Sequence, residues 1–274
     1  MTESGGEGKA MTAVKNGSDL TGRVALVTGA SRLRGIGAAI CRALATHGAD
    51  VAFSHWRPYD AAFSWVGAPS ELNILAQELV TLGVRTAAIE CDLSTPGAEV
   101  RLLQEAESRL GPVSILVNNA AYSTNDGYER LDAATIDAHY AVNMRGSMLL
   151  AAEFARRFAA GDGGRIINIT SGQGLGPMPD ELAYGATKGA IEAFTRSLAP
   201  AVAAKGITVN AVNPGPTESG WITPELRDVL LPRFPMGRIG TPADAARLVA
   251  WLASPDAGWV TGQVIHSEGG FIRG

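Results

Sequence analysis

Sulfur and aromatic side chains are scarce in this chain: two cysteines, Cys41 and Cys91, and 6% aromatic residues among 274. Two thiols cannot staple a chain of this size, which excludes a disulfide framework and fits buried thiols in a reducing compartment. Charge is sparse as well, at 18% of residues, and 23 lysines and arginines nearly balance 27 aspartates and glutamates. A formal net charge of −4 with scattered arginines excludes a broad basic face, so no nucleic-acid partner is expected. No apolar run approaches the ~20 residues required to cross a bilayer, and His47, His55, His139 and His266 form no metal-ligand cluster, so neither a membrane nor a metal is expected. Residues 1–19 lack apolar periodicity and a hydrophobic signal core; they read as a disordered N-terminal extension rather than a targeting peptide. The expected location is the cytoplasm.

What the chain does have is apolar residues, 46% of the total, arranged in a regular alternation. Short apolar runs near 23–29, 50–55, 85–91, 114–120, 164–171, 207–213 and 263–267 read as strands, with helical periodicity between them. Such alternation builds an α/β fold, a doubly wound parallel sheet of about seven strands with helices on both faces. Residues 20–274 are enough for one such domain.

Two stretches carry chemistry. The first is a strand, Arg23 to Gly29, followed by a glycine-rich turn with Gly29, Gly35 and Gly37 and then a helical segment from Ala38. Glycines let a backbone approach a pyrophosphate closely, and the helix N-terminus offers free N–H groups and a positive dipole end. Alone this is a weak signal, because any tight βα turn uses glycine. The second is Tyr184-Gly-Ala-Thr-Lys188, whose i, i+4 spacing puts both side chains on one helix face. A neighbouring ammonium favours the phenolate and is expected to lower the tyrosine pKa from about 10. Ser171, closing the apolar run Ile166–Thr170, falls at the strand edge where open α/β sheets bind ligands. A surface tyrosine–lysine pair and a turn serine would be the bland reading of these three; their joint spacing with the glycine turn favours a hydride-transfer site.

In that order the chain resembles the short-chain dehydrogenase/reductase family from about Leu20 to Gly270. The resemblance implies a Rossmann-type fold and a cofactor loop comprising Gly29, Ser31, Arg32, Arg34, Gly35, Ile36 and Gly37. It implies further dinucleotide contacts from Asp92 and Leu93 at adenine, from Asn119 and Ala120 in Asn118-Asn-Ala-Ala121, and from Tyr184 and Lys188. Pro214, Gly215, Thr217 and Ser219 match the nicotinamide loop, either hydroxyl being available to the carboxamide. Asn143, Ser171, Tyr184 and Lys188 match the catalytic tetrad, Asn143 as the holder of a proton-relay water. Ser267-Glu-Gly-Gly270 matches the usual ending. Enoyl reductases of this family usually place the lysine seven residues after the tyrosine, not four, so the implied activity is carbonyl reduction. A dinucleotide-binding regulator without turnover is the alternative, and the intact tetrad argues against it.

The chain departs from the family at three points. Five residues separate Gly29 from Gly35 where three are usual, so two residues at about Leu33 and Arg34 are inserted; Ala121 replaces a glycine; and Ser219 stands where threonine is usual. The second strand ends Ser54-His-Trp-Arg57 without the acid that selects NAD. Arg32, Arg34 or Arg57 can meet a 2′-phosphate, so NADP(H) is the expected cofactor with NAD(H) as the alternative, although Asp60 could reach back. The aromatic loop 55–70 is expected near the adenosine end. Trp221, Leu230, Phe234 and Met236 suit either an apolar substrate pocket or the core, and Leu175 and Met178 suit the same apolar body. A small-molecule ketone or 3-oxoacyl compound is the expected substrate; an acyl-carrier partner would require a basic face, for which Arg130, Arg145, Arg227, Arg233 and Arg238 are candidates. A homo-oligomer, tetramer or dimer, follows from the resemblance and from the apolar helical segments 132–160 and 184–205.

Overall fold

A computed structural model describes residues 18–61, 68–159 and 163–273. The expected N-terminal extension lies outside them apart from Ser18 and Asp19, as do residues 62–67 of the loop after the second strand. Seven strands form one parallel sheet in the order β3-β2-β1-β4-β5-β6-β7. They are β1 (Val24–Val27), β2 (Asp50–His55), β3 (Thr86–Glu90), β4 (Ile115–Asn118), β5 (Gly164–Ile169), β6 (Ile207–Asn213) and β7 (Val264–His266). Every residue of β1, β4, β5 and β6 is buried. Parallel strands covered on both faces require this, and it is why they read as mostly apolar runs, broken in β4, β5 and β6 by buried residues such as Asn118, Asn168 and Asn210.

The helices in chain order are α1 (Ile36–Thr46), α2 (Arg57–Asp60), α3 (Glu71–Thr81), α4 (Ala98–Leu110), α5 (Gly127–Arg130), α6 (Ala133–His139), α7 (Ser147–Arg157), α8 (Leu182–Val202), α9 (Pro224–Leu230) and α10 (Pro242–Ala253). Strand alternation divides the core in two. Ala25 and Val27 of β1 pack into a cluster with α1, α3 and α10, whereas Val24 and Leu26 face α4, α7 and α8. Between α6 and α7 the helix does not run on evenly: Tyr140–Gly146 forms a π turn. The strand order reverses between β1 and β4, and at such a reversal the loops leaving the carboxyl ends diverge and open a crevice.

Candidate active site

The crevice is a cleft of about 1220 Å³ along the carboxyl ends of the strands. Its floor begins at the turn after β1. Gly29 has φ +71°, and a Cβ there would lie 2.6 Å from the Ala120 Cα; a Cβ on Gly37 would lie 2.6 Å from the Gly29 carbonyl oxygen. Both positions therefore need glycine for the turn and α1 to meet β4. Thr28 Oγ1 accepts from Asn119 N and Ala120 N at 3.0 Å, and Asn119 Nδ2 donates to Thr28 O at 2.8 Å and Gly29 O at 2.9 Å. The loop after β4 is thus fastened to the turn. α1 has Gly35 at its N-cap, no side-chain cap and no acid in its first turn, so its leading amides are left for an anion at the cleft floor.

The inserted residues do not disturb this floor. Gly35 N donates to Arg32 O at 3.0 Å, which makes Leu33 and Arg34 the two central residues of a turn that projects outward. Leu33 N donates to Glu71 Oε2 at 2.8 Å and Leu33 O accepts from Arg42 Nη1 at 2.8 Å, tying the turn to α3 and α1. Arg34 is consequently exposed beside α1 and α10 and is not brought to the cleft, unlike Arg32. Arg57, at the start of α2, does not line the cleft either. Arg34 is thus turned away from the cleft, Arg57 stands between the lining residues Trp56 and Pro58, and Arg32 alone of the three lines it.

Arg32 Nε lies 3.4 Å from the Oδ1 of buried Asp60, so an acid does reach back from beyond β2. The loop that carries it is not confined to the adenosine end. Trp56, Pro58, Tyr59 and Asp60 line the cleft, and the Tyr59 hydroxyl accepts from Ser123 N at 3.1 Å, next to the substrate end. The Tyr59 ring meets Tyr122, which meets buried His139 edge-on, their centroids 5.2 and 4.9 Å apart.

Gly29, Ser31, Arg32, Gly35, Ile36, Gly37, Asp92, Leu93, Asn119, Ala120, Ser171, Tyr184, Lys188, Pro214, Gly215, Thr217 and Ser219 all line the one cleft. The sequence spreads them over 191 positions, from Gly29 to Ser219 inclusive. The Thr217 hydroxyl is spent inside its loop, donating to Pro214 O at 3.3 Å and Gly215 O at 3.0 Å. Lys188 is buried and its Nζ donates to Ile169 O at 2.8 Å, 5.4 Å from the centre of the Tyr184 ring. Burial lowers its pKa to about 8. Burial also holds the Tyr184 phenol well above its ordinary value; the Glu181 carboxylate adds to this, and the Ser171 hydroxyl beside it works in the opposite direction. The lowering expected from the lysine does not appear, and the shift runs in the opposite direction.

Asn143 sits within the π turn, buried and outside the cleft lining. Its Oδ1 accepts from Tyr122 N at 2.6 Å, and its Nδ2 donates to Tyr122 O at 2.8 Å and Thr187 Oγ1 at 3.1 Å. The side chain therefore clamps the loop after β4 to α8, one residue before Lys188, and both of its amide hydrogens are committed to that clamp.

Two residues escaped the sequence reading. Buried Asp126 accepts from Leu182 N (2.8 Å) and Gly127 N (2.9 Å) on Oδ1 and from Ala183 N (2.9 Å) on Oδ2, so it caps the helix that carries Tyr184 from 56 and 57 residues away. No local pattern marks such a contact. Glu181 also faces the cleft, at the N-cap of α8 three residues before Tyr184, and its closeness in sequence to the tyrosine was a usable signal. Of the residues expected to form an apolar pocket, Trp221 and Met178 line the cleft and Leu175 does not. Leu230 and Phe234 instead pack with Ile239 in a small core, and Met236 is exposed. Among the described residues no group of His, Cys, Asp or Glu is placed to hold a metal, and no helix is long and apolar enough to cross a membrane.

Uncapped amides at a glycine floor, within a cleft at the reversal of a parallel sheet, define a dinucleotide-binding α/β protein, and the residues present fit NAD(P)(H). The family described as enoyl-(acyl carrier protein) reductase matches residues 29–272. The chain is 56% identical over 254 residues to the uncharacterized oxidoreductase YjdA of Bacillus subtilis, spanning 92% of this chain and 98% of that one. It superposes with a TM-score of 0.82 on a short-chain dehydrogenase/reductase from Serratia marcescens, 36% identical over 92% of this chain and 98% of the other. A blue fluorescent protein from a metagenomic library, solved in complex with NADPH, gives 0.81 at 34% identity, over 93% and 100% of the two chains. The protein belongs to the short-chain dehydrogenase/reductase superfamily and is an oxidoreductase of NAD(P)(H) and carbonyl compounds.

Proposed function

We propose that the protein reduces a medium-sized ketone to a secondary alcohol with NADPH. The observation that carries this is the convergence of Tyr184, Ser171 and Lys188 on one cleft, with the Lys188 ammonium nitrogen 5.4 Å from the centre of the Tyr184 ring. When bound, the nicotinamide supplies the hydride that adds to the carbonyl carbon. Tyr184 donates its proton to the carbonyl oxygen, Ser171 holds that oxygen through its hydroxyl, and solvent protons replace the one lost. Lys188 offers its ammonium to the nicotinamide ribose, and Ser219 its hydroxyl to the carboxamide. The four-residue Tyr184–Lys188 spacing favours carbonyl over enoyl reduction.

NADP(H) is favoured over NAD(H) by Arg32 in the cleft lining and by the absence of an acid within β2 after Asp50; the NADPH-bound relative supports the same choice. A 3-oxoacyl ester suits the chemistry, whereas a carrier-protein partner gains no support. Arg130 is spent on Asp126 O and Asn125 O, Arg145 on Ser94 O, Arg227 on Glu218 and Arg238 on Asp244, which leaves Arg233 of the five at the cleft. The test is NADPH oxidation with a panel of aryl, cyclic and 3-oxo-ester ketones, for the wild type and Tyr184→Phe. Removing a positioned general acid should cost at least ~100-fold in kcat with dinucleotide binding retained. A Phe variant as active as the wild type would overturn the assignment.

A further inference from the structure

The substrate end of the cleft is not uniformly apolar. Trp221 and Met178 stand on it, but so do Ser123, Thr124, Asn125 and Glu181. Glu181 immediately precedes α8, a position where a carboxylate would ordinarily serve the helix amides. Here Asp126 already takes the Leu182 and Ala183 amides, so the Glu181 carboxylate is not used as a cap. It receives a hydrogen bond from the Ser123 hydroxyl at 3.2 Å, and among the described residues no lysine or arginine pairs with it. Asp126 and Asp180 are its electrostatic neighbours, and together with burial they oppose its ionisation. A part-buried acid in acidic company is an unfavourable arrangement for folding alone, and such arrangements concentrate where a ligand is bound. Beside it the Thr124 Oγ1 is buried without a hydrogen-bond partner among the described residues.

Glu181, at the N-cap, and Tyr184, in the first turn of α8, both line the cleft, and the carboxylate lies near enough to the phenol to act on it electrostatically. A substrate whose carbonyl oxygen meets Tyr184 therefore passes Glu181 within a few bonds of the reacting carbon. We infer that Glu181, with Ser123 and Thr124, selects ketones that carry a hydrogen-bond donor, a hydroxyl or an ammonium group, close to the carbonyl. Glu181 is then a specificity-determining residue: its carboxylate accepts from the substrate donor while Trp221 and Met178 cover the apolar remainder. The inference rests on the carbonyl-reductase reading above and narrows its substrate class.

The test uses three ketones of equal heavy-atom count: propiophenone, α-hydroxyacetophenone and α-aminoacetophenone, with NADPH and the full chain. A hydrogen bond to a charged group is commonly worth about 1.5–3 kcal/mol, or roughly 10- to 150-fold. The wild type should therefore prefer a donor-bearing ketone over propiophenone by at least tenfold in kcat/KM. Glu181→Leu should collapse that ratio, and since intrinsic reactivities are the same for both enzymes, they cancel in the comparison. Glu181→Gln should keep part of the preference for the hydroxyl and lose that for the ammonium, which tells the two donors apart. A ratio near one in the wild type, or a ratio that survives Glu181→Leu, overturns the inference. Binding of 1-phenylethane-1,2-diol against 1-phenylpropan-1-ol, measured by calorimetry with NADP present, needs no turnover. Selective binding of the diol that Glu181→Leu or Ser123→Ala weakens supports the inference even if reduction fails, whereas equal binding refutes it whatever the turnover.

Discussion

Asp126 holds the catalytic helix by its end, and replacing it with alanine removes the acceptor for three backbone donors at once. Each bond to a carboxylate is worth about 1.5–3 kcal/mol in isolation, but the three are not additive. Gly127 N also has Asp180 O within reach at 3.2 Å, and Leu182 is exposed enough to gain water. Ala183, by contrast, is 6% exposed, so its amide is left without an acceptor. The net cost is about 3 kcal/mol, above the ~1 kcal/mol typical of an exposed cap. At roughly 2–4 °C per kcal/mol for a chain of this size, the melting midpoint should fall by about 6–12 °C. Tyr184 begins one residue after the freed amides, and a shift of about 1 Å at a reacting group costs on the order of 100-fold. Asp126→Ala should therefore lower kcat more than it raises the KM for NADPH, while Asp126→Asn, which keeps one acceptor oxygen, should fall between. Burial pushes the Asp126 carboxyl up, but the Ala183, Leu182 and Gly127 amides outweigh it and hold the group below the ordinary aspartate value. The stabilisation is thus fully present above the unfolded pKa near 3.9 and is lost as pH falls through the folded value. The stability gap between wild type and Asp126→Ala should narrow in acid. An alanine variant that melts within about 2 °C of the wild type at pH 7, with unchanged kcat, would refute the capping account.

Lys188 titrates at about 8 in the folded protein, so dinucleotide affinity should decline as pH rises through that value. Lys188→Arg should move the break beyond pH 10 in a fluorescence titration. Between about 8 and the unfolded lysine value near 10.4 the unfolded chain binds the extra proton, so this group makes folding stability rise with pH across that window; Lys188→Met should abolish the rise in urea melts. Arg32→Ala should reduce the NADPH over NADH preference by roughly 10-fold or more, as expected for loss of one charge-assisted contact, and Asp60→Asn should increase it. Comparable kcat/KM for the two cofactors in the wild type would refute the Arg32 assignment. A homo-oligomer is expected, with Ile136, Tyr140 and Leu149, 40–48% exposed along α6, the π turn and α7, as its contact surface; Tyr140→Glu should dissociate it in light scattering, and a monomeric wild type at micromolar concentration would refute this.

The sheet was legible because strands buried on both faces are mostly apolar: Val24–Val27 wholly so, and Ile166, Ile167 and Ile169 around a single Asn168. The Tyr184–Lys188 pair and the glycine turn were legible because their spacing is local to one helix or one turn. What could not be read depends on contacts across long separations. The π turn at Tyr140–Gly146 has ordinary helical residues, and its register follows from Asn143 being clasped by Tyr122, 21 residues earlier. Asp126 looks like any loop aspartate until α8 is folded against it. Arg34 shares its charge with Arg32, and only the turn closed by Gly35 N sends one outward and keeps the other inside. Phe234 satisfied an apolar pocket and a core equally well in sequence, and packing against Phe271, 4.9 Å away, decided for the core.

The wall around Ser171 is completed late in the chain. Arg273 lies where side chains on Gly172 and Gly176 would have been, and Glu268 receives both its guanidinium and the Asn213 amide, at 2.6 and 2.9 Å. Synthesis delivers residues in order, so a nascent chain exposes Tyr184, Lys188 and Ser171 more than 80 residues before Phe271 and Arg273 leave the ribosome. Both sides of the cleft depend on residues made in that interval: the nucleotide side on α10, which packs on α1, and the Ser171 side on Glu268 and Arg273. Neither is finished until the last elements of the domain are in place.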